Sequence, residues 1–130
     1  MVEPREFYSN PQTESSNHYQ MKSANDEKQL ILDKALIEFH NFKNNLEKNG
    51  VEILCLKGIE GCPDHIFPNW FITFEDKTMQ IFPMNAENRR KEKTPEMINN
   101  LREIYKIQSD YSYLELEDIY LESTSSMVFD

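Results

Sequence analysis

The sequence predicts a mixed α/β fold. Three observations carry that reading: one long amphipathic helix, several short apolar runs bounded by turn residues, and a second helix start late in the chain. The order that emerges is strand, helix, strand, strand, strand, helix, then short strands, with antiparallel pieces within it. Pro4, Phe7, Tyr8, Pro11 and Tyr19 are scattered among polar residues at the start, which reads as a short strand followed by a long polar excursion. From about residue 23 to 49, Leu32, Ala35, Leu36, Phe39, Phe42 and Leu46 recur at spacings of three and four. That periodicity is an amphipathic helix with one apolar stripe, and Gly50 directly after it supplies a left-handed C-terminal cap.

Residues 51–56 form a short apolar run that reads as a buried strand reached by a tight turn from the helix. Residues 66–74 and 78–84, rich in Phe, Ile and Trp, flank the polar stretch Glu75, Asp76 and Lys77 and predict a hairpin. Thr94, Pro95 and Glu96 make a helix start, because the hydroxyl accepts an orphan N–H, proline suits the first turn and the acid complements the dipole. The helix is expected to reach about residue 107, with Met97, Leu101 and Ile104 or Tyr105 on its buried face. After a polar turn, residues 113–116, 119–121 and 127–129 offer three short strands.

Composition narrows the function classes. Fourteen basic residues against 23 acidic ones leave a formal net charge of −9 in 130 residues. Neutralising a phosphate backbone takes a concentrated basic surface, so no nucleic-acid partner is expected. The one basic run, Arg89, Arg90, Lys91 and Lys93, is short and is interrupted by Glu92. No apolar run approaches the roughly 18 residues of a membrane span, and the first twenty residues lack the basic start and apolar core of a signal peptide. Cys55 and Cys62 are expected as free thiols of a cytoplasmic protein, and with His18, His40 and His65 they do not form a metal-ligand pattern. Neither a metal nor a cofactor is expected.

Four stretches in order, MVEPREFYSNPQTESSNHYQ, CPDHIFPNWFITF, QIFPMNAENRRKEK and YLESTSSMVFD, carry a family resemblance. The chain resembles the citrulline-utilisation hydrolases and related amidinotransferases of the guanidino-group-modifying (pentein) superfamily. The FPNW strand, the FPM return and the NRR turn are its specific parts. The resemblance covers nearly the whole chain but only the N-terminal part of the family's length. It implies an incomplete five-module α/β propeller, with residues 1–130 supplying about two modules of one pentein-type domain and no separate linker domain. The abrupt apolar ending SMVFD is in keeping with a truncated chain.

Members of that superfamily attack a guanidinium carbon with a cysteine thiolate while a histidine serves as acid and base, and carboxylates hold the planar cation. Both catalytic residues lie C-terminal to the matched stretch in the family, so no catalytic residue is expected here. By the same resemblance four residues bind substrate. Asn69 stands where the family has FPNNW; this chain is one asparagine shorter, which reverses facing beyond it and displaces either Asn69 or Trp70 from the site. Arg89 and Arg90 match the NRR turn that grips an α-carboxylate with a guanidinium fork. Glu122 matches the guanidinium-binding acid of LEGTGS, written LESTSS here with serine for both glycines. Asp64 is expected to order a turn, His65 to be exposed, and Cys62 to be a structural thiol.

Three functions compete. The chain is an inactive N-terminal fragment of an enzyme acting on arginine- or citrulline-like substrates, a non-enzymatic interaction module built on the same fold piece, or one subunit completed by a separately encoded C-terminal half. An adjacent reading frame with the remaining modules separates the first from the third, and a stable monodisperse species marks the second.

Overall fold

The computed structural model describes residues 1–14 and 27–127. Most of the expected polar excursion, the expected helix start at Ser23 and most of the expected strand at 127–129 lie outside them. The chain divides into two compact units, Met1–Phe67 and Pro68–Asp130, and both helices and strands are present, so the mixed α/β class holds.

In the first unit, strand β1 (Val2–Glu3) pairs in parallel with β2 (Leu56–Lys57), in the register Val2 with Leu56 and Glu3 with Lys57. The N-terminal ammonium donates to Leu54 O at 2.6 Å, and the Gly58 N–H donates to Glu3 O at 2.8 Å. Helix α1 (Lys28–Lys48) joins the two strands in sequence. Phe39 is its buried residue, Leu32, Ala35, Leu36 and Leu46 are partly covered, and Phe42, at the edge of the expected stripe, is exposed. At about 100° per residue, Leu30 and Ile37 fall on the opposite face and are exposed too.

The helix ends as expected. Gly50 has φ 81°, its N–H donates to Glu47 O at 3.0 Å, and Val51 N–H donates to Leu46 O at 3.0 Å, the two bonds of a Schellman cap. The buried strand expected over 51–56 is corrected. Regular pairing begins only at Leu56, and Val51 and Leu54 are exposed, because a partner strand of two residues has little backbone to offer.

The following loop folds back on itself. His65 N–H donates to Cys62 O at 3.1 Å and Phe67 N–H to Asp64 O at 2.9 Å, while the Asp64 carboxylate accepts from Asn10 Nδ2 at 2.7 Å, so Asp64 orders a turn. Its neighbour corrects an expectation: His65 is buried, with Nδ1 accepting from Ile59 N–H at 3.3 Å. A Cβ on Gly58 would lie 3.6 Å from that nitrogen, an ordinary van der Waals contact. Cys62 is buried, Cys55 is partly covered, and both are free thiols.

The second unit opens with the expected hairpin. Strand β3 (Phe71–Thr73) runs antiparallel to β4 (Thr78–Ile81), pairing Phe71 with Ile81 and Thr73 with Met79. Asp76 Oδ1 accepts from Thr78 N–H at 3.0 Å and from its hydroxyl at 2.7 Å, and Lys77 turns the chain at φ 61°. Helix α2 (Glu87–Arg90), a single turn, forms the NRR turn and carries the two arginines. Helix α3 (Pro95–Arg102) begins at Thr94, whose hydroxyl accepts from Met97 N–H at 3.1 Å.

That helix stops short of residue 107, and the expected polar turn is a strand instead. Strand β5 (Lys106–Asp110) adds in parallel to the other side of β4, giving the order β3-β4-β5. KIQSD carries one large apolar residue, Ile107, so its alternation is weak in the sequence, and the strand exists because β4 has a free edge to fill. Trp70, Met79, Ile81, Phe82, Met84, Ala86, Met97 and Leu101 are the buried apolar residues of this unit. The strand expected at 113–116 is a 3-10 helix (Ser112–Glu117), and 119–121 is irregular, with Ile119 N–H donating to Leu114 O and Leu121 N–H to Pro83 O, both at 3.1 Å. Helix α4 (Ser123–Ser126) closes the described part.

Candidate functional site

The segment Phe82 to Ala86 runs on from β4, with Phe82 N–H donating to Trp70 O at 2.8 Å, and side chains from later in the chain serve other polar groups of its backbone. Met84 N–H donates to Glu115 Oε1 at 2.8 Å, and Lys93 Nζ joins Glu115 in a close ion pair while donating to Ser112 Oγ at 2.9 Å and Phe82 O at 3.3 Å. Both charges are largely withdrawn from solvent, and each is matched by several polar partners, as a buried pair requires.

The two expected arginines part company on α2. Arg89 is buried and donates from Nε to Glu92 Oε1 at 2.9 Å and from Nη2 to Oε2 at 3.3 Å, so its fork already holds an internal carboxylate. Arg90, half-buried, turns the other way. Its Nε donates to Met84 O at 2.9 Å, and its Nη2 donates to Asn85 O at 3.0 Å and to Tyr120 Oη at 3.1 Å. Adjacent residues on a helix point about 100° apart, which is why one reaches the core and its neighbour the surface loop.

Glu122 meets the same loop. Its Oε1 accepts from the Asn85 N–H at 3.3 Å, so a single residue, Asn85, receives Arg90 on its carbonyl and Glu122 on its amide. One position further, buried Ser123 donates its hydroxyl to Phe71 O at 3.1 Å. That bond ties the Glu122 segment to the start of β3, two residues from Asn69. Asn69 itself is partly covered while Trp70 is fully buried. Serine at 123 sits in helical backbone without positive φ, so glycine's freedom is not needed there. Arg90 and Glu122 thus meet on one loop at Asn85, while the fork of Arg89 is turned to Glu92.

Tyr120 and Asp118 are the members that sequence reasoning missed. Asp118 occupies the left-handed region at φ 55°, where Asp is better tolerated than most residues, and its Oδ1 accepts the Tyr120 hydroxyl at 2.6 Å. That bond raises the phenol above its ordinary pKa, with Arg90 opposing the shift. Tyr120 stands immediately before the LEST stretch, but nothing in the local pattern links it to an arginine thirty residues earlier. Among the described residues no group of three or more His, Cys, Asp or Glu is placed to hold a metal ion. No described helix is long and apolar enough to cross a membrane.

The second unit thus sets a half-buried arginine and a carboxylate on one short loop. Comparison of the whole chain gives the class more directly: residues 3–130 match the family described as N,N dimethylarginine dimethylhydrolase, eukaryotic. The chain belongs to that family and is a relative of guanidino-group hydrolases. No curated protein and no solved structure matches it.

Proposed function

We propose that the second unit forms the amino-acid-binding wall of a site for arginine- or citrulline-like substrates, and that the chain alone does not turn them over. The observation that carries this is the shared anchoring of Arg90 and Glu122 on Asn85, which sets a cation and an acid on one short loop. Arg90 would meet the substrate carboxylate, and Glu122 with Asn69 the guanidinium or ureido end. Arg89 is left out of the contact set because Glu92 already fills its fork.

Chemistry at a guanidinium carbon needs an activated thiolate and a nearby base. Cys62 is buried in the first unit, in a turn ordered by Asp64, and Cys55 lies beside β2 in the same unit. On this reading the chain is the N-terminal portion, about two modules, of a five-module propeller in the cytoplasm, completed by a separately encoded half that brings cysteine and histidine.

Calorimetric titration with arginine and citrulline tests the wall. Arg90→Ala should weaken binding roughly ten- to a hundredfold, the worth of a charge-assisted hydrogen bond. Equal binding by the two proteins removes Arg90 from the site. No hydrolysis of citrulline, arginine or methylated arginine is expected, and a turnover abolished by Cys62→Ser would instead make Cys62 a nucleophile.

A second reading, an interaction module, is favoured by Tyr113, Leu116, Ile119 and Leu121, which are exposed along one stretch, Leu116 at 90%. Size-exclusion chromatography separates the two readings: dissolution of a defined oligomer by Leu116→Ser would favour the module.

A further inference from the structure

A guanidinium has five N–H donors, and the three on Nε and Nη2 of Arg90 are all spoken for. Nε serves Met84 O, and the two on Nη2 serve Asn85 O and Tyr120 Oη. The edge formed by Nε and Nη2 is therefore clamped on consecutive backbone carbonyls. The other edge, formed by Nη1 and Nη2, has one prong on the Tyr120 hydroxyl. Only the two N–H groups of Nη1 are without a partner among the described residues.

Tyr120 is held in turn. Its hydroxyl proton goes to Asp118 Oδ1 at 2.6 Å, so its oxygen faces Arg90 as an acceptor, and Arg90 Cζ lies 5.2 Å from the centre of its ring. Asp118 is positioned by its own left-handed backbone at the end of the 3-10 helix. With its phenol pKa held above the ordinary value, Tyr120 remains a hydroxyl donor throughout the neutral range.

We infer that Tyr120, oriented by Asp118, is the positioning residue for Arg90, fixing the guanidinium so that Nη1 alone addresses a ligand carboxylate. The inference rests on the reading of Arg90 as the carboxylate contact and goes beyond it. The substrate's carboxylate is gripped by one nitrogen instead of by a fork, and the geometry of that grip is set thirty residues away along the chain. Without the Tyr120 oxygen, Nη2 keeps only Asn85 O, and the Nη1–Nη2 edge loses the contact that fixes its direction.

The test compares arginine with agmatine, its counterpart lacking the carboxylate, by calorimetry on the full chain. Tyr120→Phe should weaken arginine roughly five- to tenfold, by loss of one hydrogen bond that orients a charged group, and leave agmatine unchanged. Asp118→Asn, which keeps both the left-handed backbone and an acceptor but removes the charge, should lower arginine affinity by a smaller factor in the same ligand-selective way. Unchanged or tighter arginine binding in Tyr120→Phe overturns the inference, as does equal weakening of both ligands.

A separate readout covers failure of the underlying reading. If the wild type binds neither ligand, or Arg90→Ala binds arginine as well as wild type, the carboxylate assignment has failed. Solvent exchange of the Arg90 Nε–H in nitrogen-15 NMR spectra then decides the role of Tyr120. Faster exchange in Tyr120→Phe than in wild type upholds the positioning, and equal exchange overturns it.

Discussion

Arg89 and Glu92 face each other one helical turn apart, joined by two hydrogen bonds of 2.9 and 3.3 Å, with side chains 7% and 0% exposed. The neighbouring Arg90 is pinned to the loop at Met84 and Asn85 instead. Two adjacent arginines of one motif therefore do opposite jobs, one inside the unit and one at its surface.

Removing half of the inner pair strands a charge. Glu92→Ala is expected to cost about 3–5 kcal/mol, whereas the double variant Arg89→Met with Glu92→Leu should be close to neutral, because a matched apolar pair leaves nothing unpaired. Urea unfolding of the two variants checks this, and equal losses would contradict it.

Gly58 is constrained by space. A Cβ built there lies 3.0 Å from Glu3 O and 3.2 Å from Arg5 N, both backbone atoms that hold β1 beside β2. Gly58→Ala should destabilise the chain by about 1–3 kcal/mol through forced separation of those segments. Amide exchange at Gly58 and Leu56 should rise with it; unchanged exchange would show that the segments yield at little cost.

At the start of α3 the Thr94 hydroxyl satisfies the Met97 N–H at 3.1 Å. Thr94→Ala should lose about 1 kcal/mol, and Thr94→Ser should keep most of it, as substitutions at helix N-caps do. Thermal unfolding of the three proteins is the measurement, with a serine variant no better than alanine as the adverse result.

The hairpin turn should respond to acid. Asp76 is held below its ordinary value of 3.8, first by the Thr78 hydroxyl and then by the Thr78 N–H. A folded pKa below the unfolded one means the stabilisation is complete above about pH 4 and is lost as pH falls through the folded value. Proton exchange at Thr78 should accelerate in that acid window in wild type and not in Asp76→Asn, which keeps the acceptor but does not titrate. The same acid dependence in both would place the effect elsewhere.

How much of this was legible before folding depends on how local each cause is. Gly50 capping α1, Thr94 capping α3, the Asp76 turn and the free cysteines are decided within a few residues, and the chain itself determined them along with the mixed α/β class and the family resemblance. Arg90 and Glu122 were singled out only through that resemblance, and their meeting on Asn85 is visible only in the fold. Tertiary structure alone decided that KIQSD is a strand, since its pairing depends on the free edge of β4, and that His65 is buried, since the loop folds back to bring Ile59 N–H onto its Nδ1. It also decided which of the two arginines is spent internally. Identical side chains one residue apart carry the same local preferences, and only the partners brought up by the fold, Glu92 for one and Asn85 with Tyr120 for the other, make them different.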